Sequence, residues 1–343
     1  MRYLAACGEA SSLAMKLMET SEDPLQKELL TLGSWLGDAP PSDNWRALVM
    51  RRMAKMVQND GYTMSLRCQA LTTLAIAGDD DVAVLFRHLL SSEKPQVRQM
   101  AALGAGFLQD KEAVSELAVK LYDPSPNVQR AACLALVNIG GDAALEQTAA
   151  ALLHGSEELR QAAAEAFANH PEEGYPLLRD GAKLDDLLVR RAVIYGLQRV
   201  KETWAVELLE SIQVEDEQWV VRNAATQVVE GLNKPDPQIP TPQIPLQEIP
   251  WLVAFAGERG MGVTAGRPAD EMLKVALKEG KVPEKLAAME QVYRNPDPGL
   301  VLVLYNQLYG SDEELREGAY HAIRQLDAAG VDLPSPAQFG IGM

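Results

Sequence analysis

Histidines and cysteines are the side chains with most chemistry to offer, and their spacing offers little. His88, His154, His170 and His321 are isolated, with no His-Glu-x-x-His or His-x-His arrangement to set two imidazoles on one helix face. His170 falls in an apolar column and reads as a satisfied histidine at a helix end rather than a metal ligand. Cys7, Cys68 and Cys133 are odd in number and far apart, and no pair has Cys-x-x-Cys spacing. They read as reduced structural thiols of a cytosolic chain. Carboxylate runs at Glu157-Glu158, Asp185-Asp186, Glu215-Asp216-Glu217 and Asp312-Glu313-Glu314 stand just ahead of helical segments. Acids there satisfy N-terminal N–H groups and the helix dipole. No Ser/His/Asp arrangement and no Gly-x-Ser-x-Gly accompanies them. The expectation is no catalytic residue, no metal site and no cofactor. The stretch 257–267, with Arg259, Gly260, Gly262, Gly266 and Arg267, precedes a helix at Pro268 and could cradle an anion. It follows a helix rather than a strand and lacks the Lys-Ser/Thr of a phosphate loop, so an inter-repeat loop is the alternative.

The elements that would position any site come from a repeat. Pairs of an apolar residue and a cation recur: Leu66-Arg67, Val97-Arg98, Leu159-Arg160, Val189-Arg190 and Val221-Arg222, with Val128-Gln129 as the sixth. Their second members, at 67, 98, 129, 160, 190 and 222, are separated by steps of 31, 31, 31, 30 and 32 residues. A period held that closely marks a stacked repeat array. Three residues on stand Ala70, Ala101, Ala132, Ala163, Val193 and Ala225; seven on stand Leu74, Ala105, Leu136, Phe167, Leu197 and Val229. Offsets of three, seven and ten share a helix face, so each unit opens an amphipathic helix whose Ala lets a neighbour approach. Second helices follow, for example over 81–90, 112–122, 143–153 and 202–212. Turns such as Asp123-Pro124-Ser125-Pro126 then stop one helix and cap the next. A hairpin this small cannot bury its own face, and stacking supplies the core.

This pattern resembles the HEAT repeat family, in its short bacterial form also seen in phycobilisome lyase-like proteins. The V-R-x-x-A-type helix starts carry the resemblance. It implies an all-α solenoid, a right-handed superhelix of helical hairpins. It also implies a ladder of hydrogen bonds between repeats, with Arg67, Arg98, Arg160, Arg190, Arg222 and Arg316 as cations and Asp79, Asp110 and Asp142 as the acids after the marker helix. Departures are Gln129 in a cation position and the fourth unit, where His170-Pro171 replaces the turn Asp.

Along the chain, residues 1–58 read as divergent capping repeats and 59–233 as the regular array. A Pro-rich segment at 234–250 would be a spacer, a strap or a proline-recognition ligand. Residues 251–330 resume the repeat, with Lys285 and Arg316 again 31 apart, and 331–343 read as a loosely ordered tail. Composition narrows the partners. The 343 residues are 47% hydrophobic but only 6% aromatic, which favours close-packed helices, and the formal net charge is −16. No Lys/Arg-rich run interrupts that balance, which opposes nucleic acid and anionic membrane surfaces as partners. No apolar run reaches the length of a membrane span and the first twenty residues lack the core of a signal peptide, so a cytoplasmic chain is expected.

In helical solenoids the marker helices line the concave side, and residues one, five and nine beyond the cation position face that groove. These are Gln99, Leu103 and Phe107; Arg130, Leu134 and Asn138; Gln161, Glu165 and Asn169; Arg191, Tyr195 and Arg199; then Asn223 and Gln227. Arg and aromatic residues are what protein interfaces favour. The function expected is a non-catalytic scaffold binding another protein there. The alternative implied by the resemblance is a lyase or chaperone for a bilin chromophore. A duplex-gripping HEAT protein is a third reading, opposed by the charge.

Overall fold

The computed structural model describes residues 5–19, 23–232, 244–264, 266–294 and 296–341. Every regular element among the described residues is a helix, so the chain is an all-α solenoid protein. No described helix is long and apolar enough to cross a membrane. The chain divides into two compact units, one of Leu71–Ile239, the other of Met1–Ala70 together with Pro240–Met343.

In the Leu71–Ile239 unit the marker helices are Pro95–Phe107, Pro126–Ile139, Glu157–Phe167, Leu187–Leu197 and Trp219–Leu232, each packed on the next. Outer helices alternate with them: Asp80–Leu89, Val114–Lys120, Asp142–His154, Gly174–Gly181 and Thr203–Glu215. The starts are locally encoded. Pro95 and Pro126 occupy the first turn, where the missing N–H costs nothing. Ser156 accepts from Leu159 N, and Asp186 from Leu188 N and Val189 N. The sequence columns become the core. Val97, Val128, Leu159, Val189 and Val221 are buried, and Ala101, Ala132, Ala163, Val193 and Ala225 have no exposed surface. Each buried Val or Leu contributes about 2 kcal/mol. Small residues set how near neighbouring helices come: a Cβ on Gly106 would lie 2.6 Å from Ala135 Cα, and one on Gly196 2.6 Å from the Ala164 carbonyl oxygen. The fourth repeat compensates for its missing Asp. His170 Nδ1 accepts from Glu173 N at 3.3 Å, starting the short Gly174–Gly181 helix.

The second unit joins both ends of the sequence. Its N-terminal helices are Ser11–Glu19, Lys27–Gly33 and Asn44–Gln58, with the start of Met64–Ile76. Its C-terminal ones are Pro250–Gly257, Arg267–Glu279, Val282–Met289, Val301–Leu308 and Glu313–Ala328. Lys27 Nζ meets Asp327 at 2.7 Å, Ser65 N donates to Glu317 at 3.2 Å, and Gln69 Nε2 donates to the buried Tyr320 hydroxyl at 3.1 Å. Residues 331–341, expected as a loose tail, form a strap on Val301–Leu308. Tyr305 donates its hydroxyl to Pro334 O at 2.9 Å and meets the Phe339 ring edge-on. Most of the Pro-rich segment, 234–243, lies outside the described residues. Its last residues run into a short turn at Leu246–Glu248, and Arg294 Nη1 donates to Ile244 O.

Candidate functional site

The marker cations come first because they fix the frame. Each lies one residue beyond a buried apolar position, so its stem runs along the core edge and its head reaches the turn before its own helix. Arg98 Nη1 donates to Ser92 O and Glu93 O at 2.8 and 2.9 Å. Arg190 Nη1 reaches Leu184 O and Asp185 O, Arg222 Nη1 reaches Asp216 O and Glu217 O, and Arg160 Nε reaches Gly155 O. Gln129 plays the same part as a neutral donor, its Nε2 giving 2.8 Å to Asp123 O. The amide therefore satisfies the turn without a charge.

The remaining guanidinium edge meets an acid of the following repeat. Arg98 Nε and Nη2 each lie 2.7 Å from Asp123, and Arg190 Nε and Nη2 lie 2.8 and 3.2 Å from Asp216. Arg160 Nη1 meets Asp186 at 3.3 Å. These acids are not the ones the sequence columns suggested. Asp110 takes Arg87 Nη1 at 2.6 Å and accepts from Glu112 N, Asp79 precedes Asp80–Leu89, and Asp142 opens Asp142–His154 exposed to solvent. The reason is direction: a helix side chain leans toward the N-terminus, so the marker Arg reaches turns entering marker helices, not those leaving them. Burial pushes the Asp123 carboxyl upward, but the Arg98 bonds, with Ser125 N, outweigh it and hold the carboxyl below its ordinary value. Asp216 is held down in the same way, burial again being outweighed by Arg190 and Gln218 N.

The groove row proves to be wired rather than loose. Glu165, only 7% exposed, sits at its centre and is a buried anchor instead of the surface contact expected. Its Oε2 accepts from Arg199 Nη2 at 2.9 Å and lies 4.0 Å from Arg130 Nε; its Oε1 accepts from Gln161 Nε2 at 2.9 Å. One carboxylate thus ties three consecutive repeats, because a buried charge needs several donors to be tolerated. Its two cations stay half-exposed, Arg199 at 55% and Arg130 at 53%. Asn169 Nδ2 turns back to Glu165 O, and Asn138 Nδ2 caps Gly106 O of the preceding repeat. Arg191 stands apart from this group, paired with Glu157 at 2.8 Å. Phe107 is 48% exposed, Gln99, Leu103, Leu134 and Tyr195 are half-buried, and Asn223 and Gln227 are exposed.

In the Gly-rich loop one of the two cations turns back onto its own helix. Arg259 lies 3.6 Å over the Phe255 ring and donates to Phe255 O, back onto its own helix. Gly260 and Gly266 adopt positive φ, and Gly262 has open space around its Cα; the Arg267 side chain lies outside the described residues. In the second unit Arg67 Nε donates to Val57 O at 3.0 Å, while Arg316 Nε is buried without a hydrogen-bond partner. Sequence columns missed Arg46, which donates to Leu36 O and Ala39 O as a marker cation does. The signal was present: Trp45-Arg46 is an apolar–cation pair followed by Val49, Met53 and Met56 at offsets three, seven and ten. It stands 21 residues before Arg67, off the period. Among the described residues no group of three or more His, Cys, Asp or Glu could hold a metal.

Residues 82–168 and 146–230 match the family model of HEAT repeats, so this stretch of the chain is built of HEAT-type repeats. No curated protein matches the sequence. Among solved structures, the E. coli protein YibA is 17% identical, covering 84% of this chain and 98% of its own, with a TM-score of 0.34. A designed armadillo repeat protein solved with the peptide (KR)4 is 17% identical, covering 60% and 99%, with a TM-score of 0.29. Human deoxyhypusine hydroxylase is 18% identical, covering 65% and 97%, with a TM-score of 0.26.

Proposed function

We propose that this HEAT-repeat chain is a non-catalytic scaffold that holds another protein on the marker-helix row of its Leu71–Ile239 unit. The observation that carries the reading is the buried Glu165, which holds Arg199 by a hydrogen bond and lies 4.0 Å from Arg130 Nε while leaving half of each cation exposed. The guanidinium held at Arg199, on the same sequence row as Arg130, Phe107 and Tyr195, gives the surface a preorganised element, which lowers the ordering cost of binding. The free N–H groups of the two cations suit carboxylates or carbonyls of the partner, and Phe107 offers an apolar contact.

The test is Arg130→Glu combined with Arg191→Glu. Arg199 still pairs with Glu165 in that variant, so helicity by circular dichroism should stay at the wild-type level. Capture of the partner from an extract of the native host should be lost. A variant that captures the same proteins as wild type would refute this surface.

A further inference from the structure

A cavity of about 570 Å³ lies within the unit formed by the two ends of the sequence. Its lining is of two kinds. Leu66, Pro336 and Ile341 are apolar, while Asp23, Tyr62 and Tyr309 bring one carboxylate and two phenols. Burial, the Tyr62 hydroxyl and the Asp23 charge together push the Tyr309 hydroxyl upward, so it remains a neutral donor and acceptor. Asp23 is held in place by Leu25 N at 3.0 Å and Lys27 N at 2.9 Å, one on each oxygen. Each oxygen keeps a lone pair for another donor.

A second depression shares Asp23, Pro24 and Ser335 with the first and is lined by Glu28, Asp327 and Asp332. Lys27, which also lines it, is bound to Asp327 at 2.7 Å. The combined site is therefore a tyrosine-walled hole with a carboxylate beside it, continuing into a negatively charged shelf. An aliphatic stem ending in a cation fits such a hole. The methylenes lie on the apolar residues, the charged head meets carboxylate and phenol, and ring faces add cation–π attraction.

We propose that this cavity is a second binding site, specific for a basic segment of a partner protein. One Arg or Lys side chain enters between Tyr62 and Tyr309 toward Asp23, and a neighbouring basic residue lies over Asp327 and Asp332. The continuity of cavity and shelf favours an extended peptide over a free amine, which would fill only the first. This site is separate from the marker-helix row and does not rest on it.

The probe is a fluorescein-labelled Gly-Ser-Arg-Lys-Ser-Gly peptide, titrated with the full chain and read by anisotropy at about 0.15 M salt. Saturable binding is expected, weakened about tenfold by Asp23→Asn and by Tyr309→Ala. Asn keeps an acceptor for the turn, and Tyr309 is half-exposed, so at least one variant stays folded. Glu207→Gln removes the same charge from an exposed position of the other unit and should leave affinity unchanged. The proposal is overturned if the Gln-Gln counterpart peptide binds equally, or if Glu207→Gln weakens binding as much as Asp23→Asn. Displacement by spermidine at concentrations equal to the peptide would make the ligand a free amine and overturn it too.

Discussion

The two units use the same residue in the same position and satisfy it differently. In the Leu71–Ile239 unit, Arg98, Arg160 and Arg190 each bridge their own turn and an aspartate of the next repeat. In the unit made from both ends, Arg67 donates to the Val57 carbonyl. Arg67 is 2% exposed with one guanidinium nitrogen unpartnered, and burial pulls its ionisation downward. The difference shows that the marker cation is first a cap for the turn behind it. It becomes a rung between repeats only where the next turn supplies an acid. Rungs of that kind give the regular unit its fixed spacing, and the groove row inherits the spacing through Glu165.

The largest effect should come from breaking a rung on its acid side. Asp123→Ala leaves Arg98 mostly buried with its bidentate partner gone, and should cost about 3 kcal/mol. Cys133 reports it conveniently: it is fully buried in this unit, and burial pushes its thiol up to about 12, so it reacts only on opening. Labelling by a thiol reagent should quicken roughly a hundredfold in the variant, with the exposed Cys7 unaffected. Equal rates would mean the rung contributes nothing.

Arg67→Met should matter less, costing about 1 kcal/mol or below. It loses the bond to Val57 O but also removes a buried charge with an unpartnered nitrogen. Urea unfolding of the two variants side by side checks the order. A larger loss for Arg67→Met would erase the distinction between the units.

Those rungs were only partly legible in the sequence. The 31-residue steps expose the buried Val and Ala columns because packing against identical neighbours demands identical positions. Periodicity does not say toward which turn a long side chain leans, so the resemblance pointed to Asp79, Asp110 and Asp142 and not to Asp123 and Asp216. Glu165 reads as one more exposed acid until the helices around it are in place, since the cations beside it, Arg199 as donor and Arg130 at 4.0 Å, come from the repeats after and before. Arg46 was hidden by its off-period step. The association of residues 1–70 with 240–343 left no trace at all, because a repeat pattern records what each hairpin stacks on locally and nothing of pairings as distant as Lys27 with Asp327.

A smaller effect is expected from pH. The carboxyls of Asp123 and Asp216 are held below their ordinary value in the folded chain. Their contribution is complete above the unfolded value of about 3.9 and is lost as pH falls from there through the depressed folded value. The stability gap between wild type and Asp123→Ala should therefore narrow below about pH 4. A gap that stays constant from about pH 6 to pH 3 would detach the rung from its charge.

Hydrogen exchange of the full chain, with and without its captured partner, tests the marker-helix row as the binding surface most directly. Slowed exchange is expected in Pro126–Ile139, which carries Arg130, in Glu157–Phe167, which carries Glu165, and in Leu187–Leu197, which leads into Arg199. The outer helices Asp142–His154 and Thr203–Glu215 should exchange as in the free chain. Protection confined to those outer helices, with the marker helices unchanged, would contradict it.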